Sequence, residues 1–216
     1  MQIERVVNGH LEVNTYIVFC PGSKNGFVID PSYEPEKVIS KIDELGLNIT
    51  HIINTHEHPD HIAGNEALKK HTNAKICIYR DIADALVDPN KNLSAMIPPV
   101  IVSPPADVLL TDGDVLKFES HLGPVEFHVM YTPGHSMGHI CLKFHRGVFT
   151  GDLLFFDSIG RTDFPGCDLY MMRDSLIRLS REIPPEFEVF PGHHETTTHK
   201  RELERNYLYK RMIRNF

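Results

Sequence analysis

The apolar positions near the start of the chain follow the spacing of β-strands. Runs rich in β-branched and aromatic residues at 3–7, 13–19 and 27–29 are separated by Asn-Gly and Pro-Gly pairs, which favour turns. Residues 35–45 change to the helical period of apolar positions and are followed by Gly46, a typical residue at a helix end. The pattern therefore predicts three strands and then a helix.

The same two periods alternate along the rest of the chain. Strands are predicted at 49–54, 75–79, 108–110, 115–118, 125–131, 139–144, 148–150 and 188–190, and helices at 63–71, 81–87, 168–182 and from about residue 199. Residues 88–107 contain five prolines and predict a long irregular loop, which either borders a functional site or is a surface excursion packed by Ile97, Val100 and Ile101. This order predicts two similar halves, each a sheet with helices on one side, packed as a sandwich.

Composition narrows the class of protein. A chain of 216 residues fits a single domain spanning 1–216, and its net charge of −7 argues against nucleic-acid binding, which requires a basic surface. Four widely spaced cysteines without a C-x-x-C pair predict buried or incidental thiols. No charged-then-apolar leader and no apolar run near eighteen residues is visible, so we expect a cytoplasmic protein without membrane contact.

The segment Thr55–His61 concentrates groups that bind metal ions. His56, His58, Asp60 and His61 place three imidazoles and a carboxylate within six residues. Neutral imidazole and ionised carboxylate are good ligands for first-row transition metals. If the strand at 49–54 keeps its alternation, His56 and His58 face one side, whereas Asp60 and His61 lie where the chain turns into a helix. The segment therefore predicts part of a metal site.

Three further residues share one local pattern, in which a strand ends, a glycine follows and a ligand-type side chain comes next. They are His135 after Gly134, Asp152 after Gly151 and His193 after Gly192. Glycine permits a sharp turn or a close approach of the backbone at such a position. We expect these side chains to supply the additional ligands that a metal site needs.

Taken together, these motifs resemble the metallo-β-lactamase-fold hydrolases in content and order, over nearly the whole chain. The resemblance implies an α/β (α+β) fold of the metallo-β-lactamase type, a four-layer αββα sandwich with a metal site along the edge of its two sheets. By the same resemblance the first metal ion is held by His56, His58 and His135. The second is held by Asp60, His61 and His193, and Asp152 bridges the two.

Within this superfamily the chain is similar to the short glyoxalase-II-like group. The similarity lies in the segments 151–155, 158–166, 191–197 and 202–206. Members of that group hydrolyse thioesters such as S-lactoylglutathione. The chain ends at Phe216, without the long C-terminal helical domain with which full-length glyoxalases II hold glutathione. The thiol part of the substrate is therefore left open.

The expected chemistry is hydrolysis of a small thioester by two divalent metal ions. Zinc is expected, with iron or manganese as alternatives, and bound zinc lowers the pKa of its water to about 7. A metal-bridging hydroxide would attack the carbonyl carbon, and Asp60 would serve as both ligand and catalytic residue. We expect a monomer or a small homo-oligomer that binds a small-molecule thioester, possibly linked to glutathione, and neither nucleic acid nor membrane.

The same candidate ligands are compatible with other functions. Persulfide dioxygenases resemble this group and share a Gly-Arg-Thr-Asp-Phe segment, here 160–164, but use one iron held by two His and one Asp, here His56, His135 and Asp152. A lactonase or β-lactamase activity could use the same centre. The non-catalytic alternative is a metal-binding interaction protein.

A few residues have two competing interpretations. His139 either supports a metal-bound imidazole or is a packed core histidine. Arg161 and Asp163 predict a loop ion pair or groups that shape the site. The basic run 200–214 predicts a solvated helix face or, through Lys210 and Arg211, a surface that binds a substrate carboxylate.

Overall fold

The computed structural model of the chain describes residues 1–119 and 123–214. The chain divides into two compact units, which comprise residues 1–110 with 116–126 and residues 111–115 with 127–216. The prediction of a single domain over 1–216 stays a prediction.

The first unit contains a six-stranded sheet in the order β1-β2-β3-β4-β5-β6. Its strands are β1 (Gln2–Asn8), β2 (Val13–Phe19), β3 (Asn25–Ile29), β4 (Asn48–Ile53), β5 (Lys75–Tyr79) and β6 (Val108–Leu110). The first three strands pair antiparallel, and β3 to β6 pair parallel. Parallel neighbours require crossover connections, and helical segments supply them. These segments are α1 (Pro35–Leu45), the short α2 (Pro59–Ile62), α3 (Asn65–Thr72) and a 3₁₀ helix (Arg80–Leu86).

The core of the first unit lies between this sheet and its helices. Val38 and Ile42 of α1 and Leu68 of α3 are buried in one cluster with Ile52 and Ile76 of the parallel strands. These are the apolar positions of the helical and strand periods, so the pattern that predicts the elements also forms the core. The packed core fixes the carboxyl ends of β3 and β4, from which the candidate ligands follow.

A second six-stranded sheet has the order β14-β13-β10-β9-β8-β7, and all of it except residues 116–118 of β7 and 125–126 of β8 belongs to the second unit. Its strands are β7 (Val115–Phe118), β8 (Val125–Tyr131), β9 (Ile140–Phe144), β10 (Gly147–Gly151), β13 (Glu188–Pro191) and β14 (Thr197–Thr198). A small hairpin of β11 (Leu154–Phe155) and β12 (Ser158–Ile159) follows β10, and the helices are α4 (Leu169–Glu182), α5 (His199–Arg205) and α6 (Tyr207–Ile213). Strands β10 and β13 pair parallel, so both end at the same edge.

The core of the second unit packs α4 and α6 with the sheet. Met172, Leu176 and Leu179 of α4 recur at helical spacing and are buried with Val148 and Val189 of the parallel strands. Asp168 caps α4 by accepting a hydrogen bond from the backbone N–H of Met171. The start of α4 is thereby fixed next to the turn that carries His135.

Most predicted elements are confirmed, and the differences lie where tertiary contacts decide. The helix predicted at 81–87 is a 3₁₀ helix, Arg80–Leu86. The predicted C-terminal helix is interrupted at Asn206, whose side chain caps the second half. The hairpin β11–β12 and the strand β14 were not predicted, because elements of two residues are too short to show a period.

The loop at 88–107 is irregular, as predicted, but its packing differs from the expectation. Val100 is 62% exposed, whereas Ile101 packs against the core of the first unit. Ser103 accepts a hydrogen bond of 2.9 Å from Nδ2 of Asn65 at the start of α3. The loop is therefore connected to the segment that follows the histidine cluster.

No helix within 1–119 and 123–214 is long and apolar enough to cross a membrane.

Candidate metal-ligand clusters

The histidine cluster follows β4 directly, and the side chain of Asn54 connects its two ends. Asn54 donates from Nδ2 to the backbone carbonyl of His61 at 3.1 Å and to Oδ1 of Asn65 at 3.2 Å. Its own backbone N–H donates to the carbonyl of Cys77 in β5 at 2.9 Å. Asn54 thus joins the beginning of the turn to its end, and α2 begins within it at Pro59, a residue suited to the first helical position.

Asp30, directly after β3, orients His56, the first of the candidate ligands. It is 1% exposed and accepts hydrogen bonds of 2.7 Å from both the backbone N–H and the hydroxyl of Thr55. Because that hydroxyl gives its proton to Asp30, its oxygen accepts from Nδ1 of His56, which lies 3.0 Å away. The proton of neutral His56 is therefore on Nδ1, and Nε2 keeps the lone pair that a metal ion requires.

His61 is oriented by the same carboxylate. Its Nδ1 lies 3.1 Å from Oδ2 of Asp30 and donates to it, and its Nε2 faces Oδ2 of Asp60 at 3.6 Å. The rings of His56 and His58 are 4.6 Å apart and nearly perpendicular, while those of His56 and His61 are 4.2 Å apart. The first unit therefore brings its four predicted ligands together.

Asp30 was not predicted as a site residue. It lies within 4.8 Å of the ligand atoms of His56 and His61, so distance alone would include it in a metal site. However, both of its oxygens already accept hydrogen bonds from Thr55 and His61. We therefore assign Asp30 the role of orienting the imidazoles. A ligating histidine commonly donates its other N–H to a carboxylate in this way.

Tyr33 is a second residue near this cluster that the sequence pattern did not identify. Burial raises the pKa of its phenol above the usual value, and the negative charge of Asp60 adds to the increase. The ring packs against His10, with ring centroids 5.3 Å apart. Tyr33 therefore places a protonated hydroxyl group in the neighbourhood of Asp60.

Each of the three predicted glycine turns lies in the second unit at a strand end. A Cβ at Gly134 would lie 2.2 Å from the backbone nitrogen of Met172, and its φ of +138° also favours glycine. The carbonyl of Gly134 accepts a hydrogen bond of 2.8 Å from the backbone N–H of Asp168. Glycine is thus required so that the start of α4 can pack on the turn before His135.

The turns after β10 and β13 are linked to each other. The backbone N–H of Gly192 donates to the carbonyl of Gly151 at 2.8 Å. This bond brings Asp152 and His193 together, with Oδ2 of Asp152 3.5 Å from Nε2 of His193 and 3.4 Å from Nε2 of His135. The second unit therefore gathers its three predicted ligands around one carboxylate oxygen.

The orientation of His135 is also fixed at Nδ1. That nitrogen donates to the backbone carbonyl of Arg161 at 2.9 Å, so Nε2 faces Asp152 with its lone pair. Arg161 itself forms a bidentate pair with Asp163, at 2.7 and 2.9 Å, and lies 3.7 Å above the ring of Phe164. These contacts favour the interpretation of Arg161 and Asp163 as a loop ion pair that holds the carbonyl in place.

The chemistry of these donor sets fits divalent metal ions. Imidazole nitrogens face carboxylate oxygens at 3.4 to 3.6 Å in both units, which is longer than a charge-assisted hydrogen bond. Two ligand atoms at about 2.1 Å from one tetrahedral zinc ion are about 3.4 Å apart. Two electron-rich atoms at this separation repel each other unless a cation lies between them. The seven predicted ligands therefore form two clusters, one in each unit, that are suited to cations.

The basic C-terminal segment has no demonstrated role in either cluster. Lys210 donates to the backbone carbonyl of Glu204 at 2.9 Å. Arg211 lines a cavity of about 790 Å³ in the second unit, together with side chains of β12, α4 and α6. None of the seven predicted ligands lines this cavity. The predicted carboxylate-binding surface at Lys210 and Arg211 stays a prediction.

Comparison with protein families and with curated proteins gives consistent results. A family model described as the metallo-beta-lactamase superfamily matches residues 8–193. The chain is 31% identical over 187 residues to hydroxyacylglutathione hydrolase GloC of Haemophilus influenzae, covering 85% of this chain and 86% of that protein. It is 30% identical over 197 residues to hydroxyacylglutathione hydrolase of Polaromonas, where the match covers 89% of this chain and 66% of the relative.

Solved structures of similar fold include three that cover nearly the whole chain. BLEG-1 B3 metallo-beta-lactamase has a TM-score of 0.88 at 29% identity, covering 96% of this chain and 99% of that one. TTHA1623 in a di-iron-bound form has a TM-score of 0.82 at 32% identity, covering 95% and 99%. ETHE1 from Myxococcus xanthus has a TM-score of 0.78 at 28% identity, covering 96% and 84%. These neighbours confirm the predicted fold class.

Proposed function

The chain belongs to the metallo-β-lactamase superfamily, and from that premise we propose that it is a binuclear metal-dependent hydrolase of small thioesters, of the S-acylglutathione class. Two relatives that carry the name hydroxyacylglutathione hydrolase, at 30% and 31% identity, support this substrate class. The proposed setting is the cytoplasm, in keeping with four cysteines that form no disulfide within the described residues.

The proposed ligands are the seven residues that the sequence predicts. By the family resemblance, His56, His58 and His135 hold one ion, Asp60, His61 and His193 hold the other, and Asp152 bridges them. Zinc is the proposed metal, with iron or manganese as alternatives. The di-iron form of TTHA1623 is consistent with iron as an alternative.

The observation that supports this proposal most directly is the repeated pairing of an imidazole Nε2 with a carboxylate oxygen. It occurs between His61 and Asp60 in the first unit and twice at Asp152 in the second. In His61 and His135 the Nδ1 proton is already committed to a protein acceptor, so that the lone pair faces the carboxylate. Such orientation before binding is typical of metal-ligating histidines.

When bound, the ions would polarise the thioester carbonyl and lower the pKa of a bound water to about 7. The residues of the chain have separate tasks. Asp60, the proposed catalytic residue, presents Oδ2 toward Nε2 of His61 at 3.6 Å; it would hold one ion together with His61 and would orient the water that this ion supplies. Asp30 stabilises the Nδ1–H form of His61 directly and that of His56 through the hydroxyl of Thr55. A serine or cysteine nucleophile is not required by this proposal.

The proposal is tested by metal analysis and a hydrolysis assay on the same preparation. We expect protein purified without added metal to contain two divalent ions per chain and to hydrolyse S-lactoylglutathione. Asp60→Ala and His61→Ala should each lose about one metal equivalent and most of the activity. Asp43→Ala is a matched control, because Asp43 also pairs with a histidine, His71, but on the exposed surface at 2.8 Å. Full metal content and activity in both cluster variants would refute the proposal.

The second candidate is a persulfide dioxygenase with one iron, and the segment 160–164 favours it. That segment matches the Gly-Arg-Thr-Asp-Phe sequence of those enzymes, and its Arg161 carbonyl holds His135. The two candidates predict different measurements. One iron per chain with oxygen uptake in the presence of glutathione persulfide supports the dioxygenase, whereas two ions with thioester turnover support the hydrolase.

A further inference from the structure

His139 is a buried histidine whose two ring nitrogens both contact groups next to the second cluster. Its side chain has no exposed surface, and it lies four residues after His135. Nε2 lies 3.0 Å from the backbone nitrogen of Asp152, and Nδ1 lies 3.0 Å from the hydroxyl oxygen of Thr132. The proposed function gives this residue no role.

These two contacts determine the protonation of the ring. A backbone N–H can only donate, so Nε2 must accept from Asp152 and must lack a proton. The proton of neutral His139 is then on Nδ1, where it donates to Thr132. If the ring were cationic, the N–H group at Nε2 would face the backbone N–H of Asp152, and two donors would oppose each other. Because both nitrogens are committed, His139 is a support for the ligand turn and not a metal ligand.

The peptide that follows the one His139 contacts, between Asp152 and Leu153, lies against Gly160. A Cβ at Gly160 would lie 1.8 Å from the carbonyl oxygen of Asp152, so only glycine fits there. The Gly151–Asp152 peptide is held at both ends, because its carbonyl accepts from the N–H of Gly192 at 2.8 Å and its N–H donates to His139. In the next peptide the N–H of Leu153 donates to the carbonyl of Thr150 at 3.0 Å. The N–H of Asp152 is thus the point at which a side chain, that of His139, controls the direction of the turn.

The same contacts connect two ligand-bearing turns. Thr132 precedes His135 by three residues, and its backbone N–H donates to the carbonyl of His139 at 2.9 Å. Thr132 and His139 are therefore paired through both backbone and side chains. The hydrogen-bond series Thr132–His139–Asp152 fixes the position of the carboxylate relative to the strand end that presents His135.

We propose that His139 is a positioning residue for the second cluster, which acts through the backbone of Asp152 and sets the approach of its carboxylate to His135 and His193. This inference rests on the proposed metal site, since it concerns how a metal ligand is oriented. It does not depend on which substrate is hydrolysed. Removing the acceptor leaves a buried N–H without a partner and allows the turn to relax.

The test compares His139→Leu with His139→Gln, with Thr132→Val and with a matched control, His199→Leu. His199 is also fully buried, and it also uses both ring nitrogens, toward Tyr209 at 2.9 Å and the carbonyl of Pro184 at 3.3 Å. It contacts none of the proposed ligands. Loss of a buried histidine should therefore destabilise both leucine variants similarly, and only effects specific to His139 report on positioning.

Cobalt(II) titration followed by visible absorption is the main measurement, because it reports ligand geometry without a substrate. We expect His139→Leu to bind cobalt 10- to 100-fold more weakly than the wild type, which is the usual effect of losing a partner behind a metal ligand. Its absorption bands should also shift, and kcat should fall with little change in KM. His139→Gln should recover much of the affinity, because its amide oxygen can accept from Asp152. His199→Leu should match the wild type in affinity and spectrum.

The outcomes separate this inference from the proposed function. A wild-type protein that binds cobalt but does not hydrolyse thioesters contradicts the proposed function, and the spectra still test His139. Wild-type affinity and spectrum in His139→Leu, or equal losses in His139→Leu and His199→Leu, would overturn the positioning role. If His139→Leu does not fold, Thr132→Val replaces it, because it removes the partner of Nδ1 of His139. Weaker cobalt binding in Thr132→Val than in His199→Leu then supports the positioning role, and equal binding overturns it. Long-range ¹H–¹⁵N spectra of the wild type give an independent result, since a proton on Nε2 of His139 would also overturn it.

Discussion

Replacing Asp30 by asparagine tests whether the first cluster depends on a residue that is not itself a ligand. The substitution keeps the shape of the side chain and removes its charge. Asp30 now accepts three hydrogen bonds, one at Oδ1 from the backbone of Thr55 and two at Oδ2 from the hydroxyl of Thr55 and from His61. Asparagine has one acceptor oxygen and one donor group, so it cannot satisfy all three donors.

The cost follows from the better of the two orientations of the new amide. If its NH₂ group takes the position of Oδ1, the backbone N–H of Thr55 loses its acceptor, at a cost of about 1–3 kcal/mol for a buried donor. The other two bonds lose their charged acceptor, which weakens them by about 0.5–1.5 kcal/mol each. We therefore expect Asp30→Asn to lower the free energy of unfolding by about 2–6 kcal/mol. We also expect a 10- to 100-fold loss of metal affinity, since His61 and His56 lose their fixed orientation.

Urea unfolding of the metal-free protein and competition with a chromophoric chelator measure the two effects separately. Asp43→Asn is the matched control, because its carboxylate also accepts from a histidine but is 60% exposed. Exposed ion pairs contribute about 0–1 kcal/mol, so this variant should be close to the wild type in both measurements. If Asp30→Asn binds metal as tightly as Asp43→Asn does, the assignment of Asp30 as the orienting residue is wrong.

Three further predictions concern stability. Gly160→Ala should lower the free energy of unfolding by about 3 kcal/mol or more in urea, because its Cβ would lie 1.8 Å from the carbonyl oxygen of Asp152. Gly166→Ala has open space around its Cβ and a φ of +86°, so it should lower that free energy by about 1–2 kcal/mol. Similar losses in the two variants would contradict this account. Burial lowers the pKa of His199, so its contribution to stability is complete above its unfolded pKa of about 6.5 and is lost as the pH falls toward the folded value. His199→Gln should then show a smaller loss of unfolding free energy than the wild type between pH 7 and pH 5, and parallel pH profiles would refute the assignment. Adding zinc at 100 times its dissociation constant to metal-depleted protein should raise the free energy of unfolding by about 2.7 kcal/mol, and a melting temperature independent of zinc would exclude a folded-state site.

The helices and strands could be predicted where the period of apolar residues determines them. The prediction failed where contacts between residues distant in sequence determine where an element ends. Helix α4 shows its period clearly in sequence: Met172, Leu176 and Leu179 are buried as their spacing predicts, whereas Leu169, at the same spacing, is 54% exposed. The interruption at Asn206 is different, because the side chain of this residue both accepts from the backbone of Tyr209 and donates to the carbonyl of Ser158 at 2.9 Å. The second contact comes from a hairpin 48 residues earlier, so no local pattern could reveal it.

The seven proposed ligands could be selected from the sequence because each is a ligand-type side chain that follows the end of a strand. Asp30 has the same signal, since an acidic residue follows the strand 27–29, but no glycine precedes it. The sheet explains its role: β3 and β4 pair in parallel with Ile29 opposite Ile53, so their following residues meet at one edge. A prediction that paired these two strands would have placed Asp30 beside Thr55.

His139 shows the limit of reasoning from residue type. The sequence suggests either a support for an imidazole or a core histidine, and the observed partner is neither an imidazole nor an apolar group. It is the backbone of Asp152, thirteen residues later. Backbone groups carry no sequence signal, so contacts of this kind are visible only in the folded chain.

The tethered imidazoles have a consequence for how the clusters respond to different ions. His56, His61 and His135 are each fixed at Nδ1 by a protein acceptor, so their Nε2 atoms can move only by small rotations about that bond. The carboxylates of Asp60 and Asp152 can bind through one oxygen or two. Iron and manganese accept more ligands than zinc, so the additional ligand atoms would come from the carboxylates and from water. In each proposed cluster the histidines would keep fixed positions, and the aspartates would determine which ions the cluster can bind.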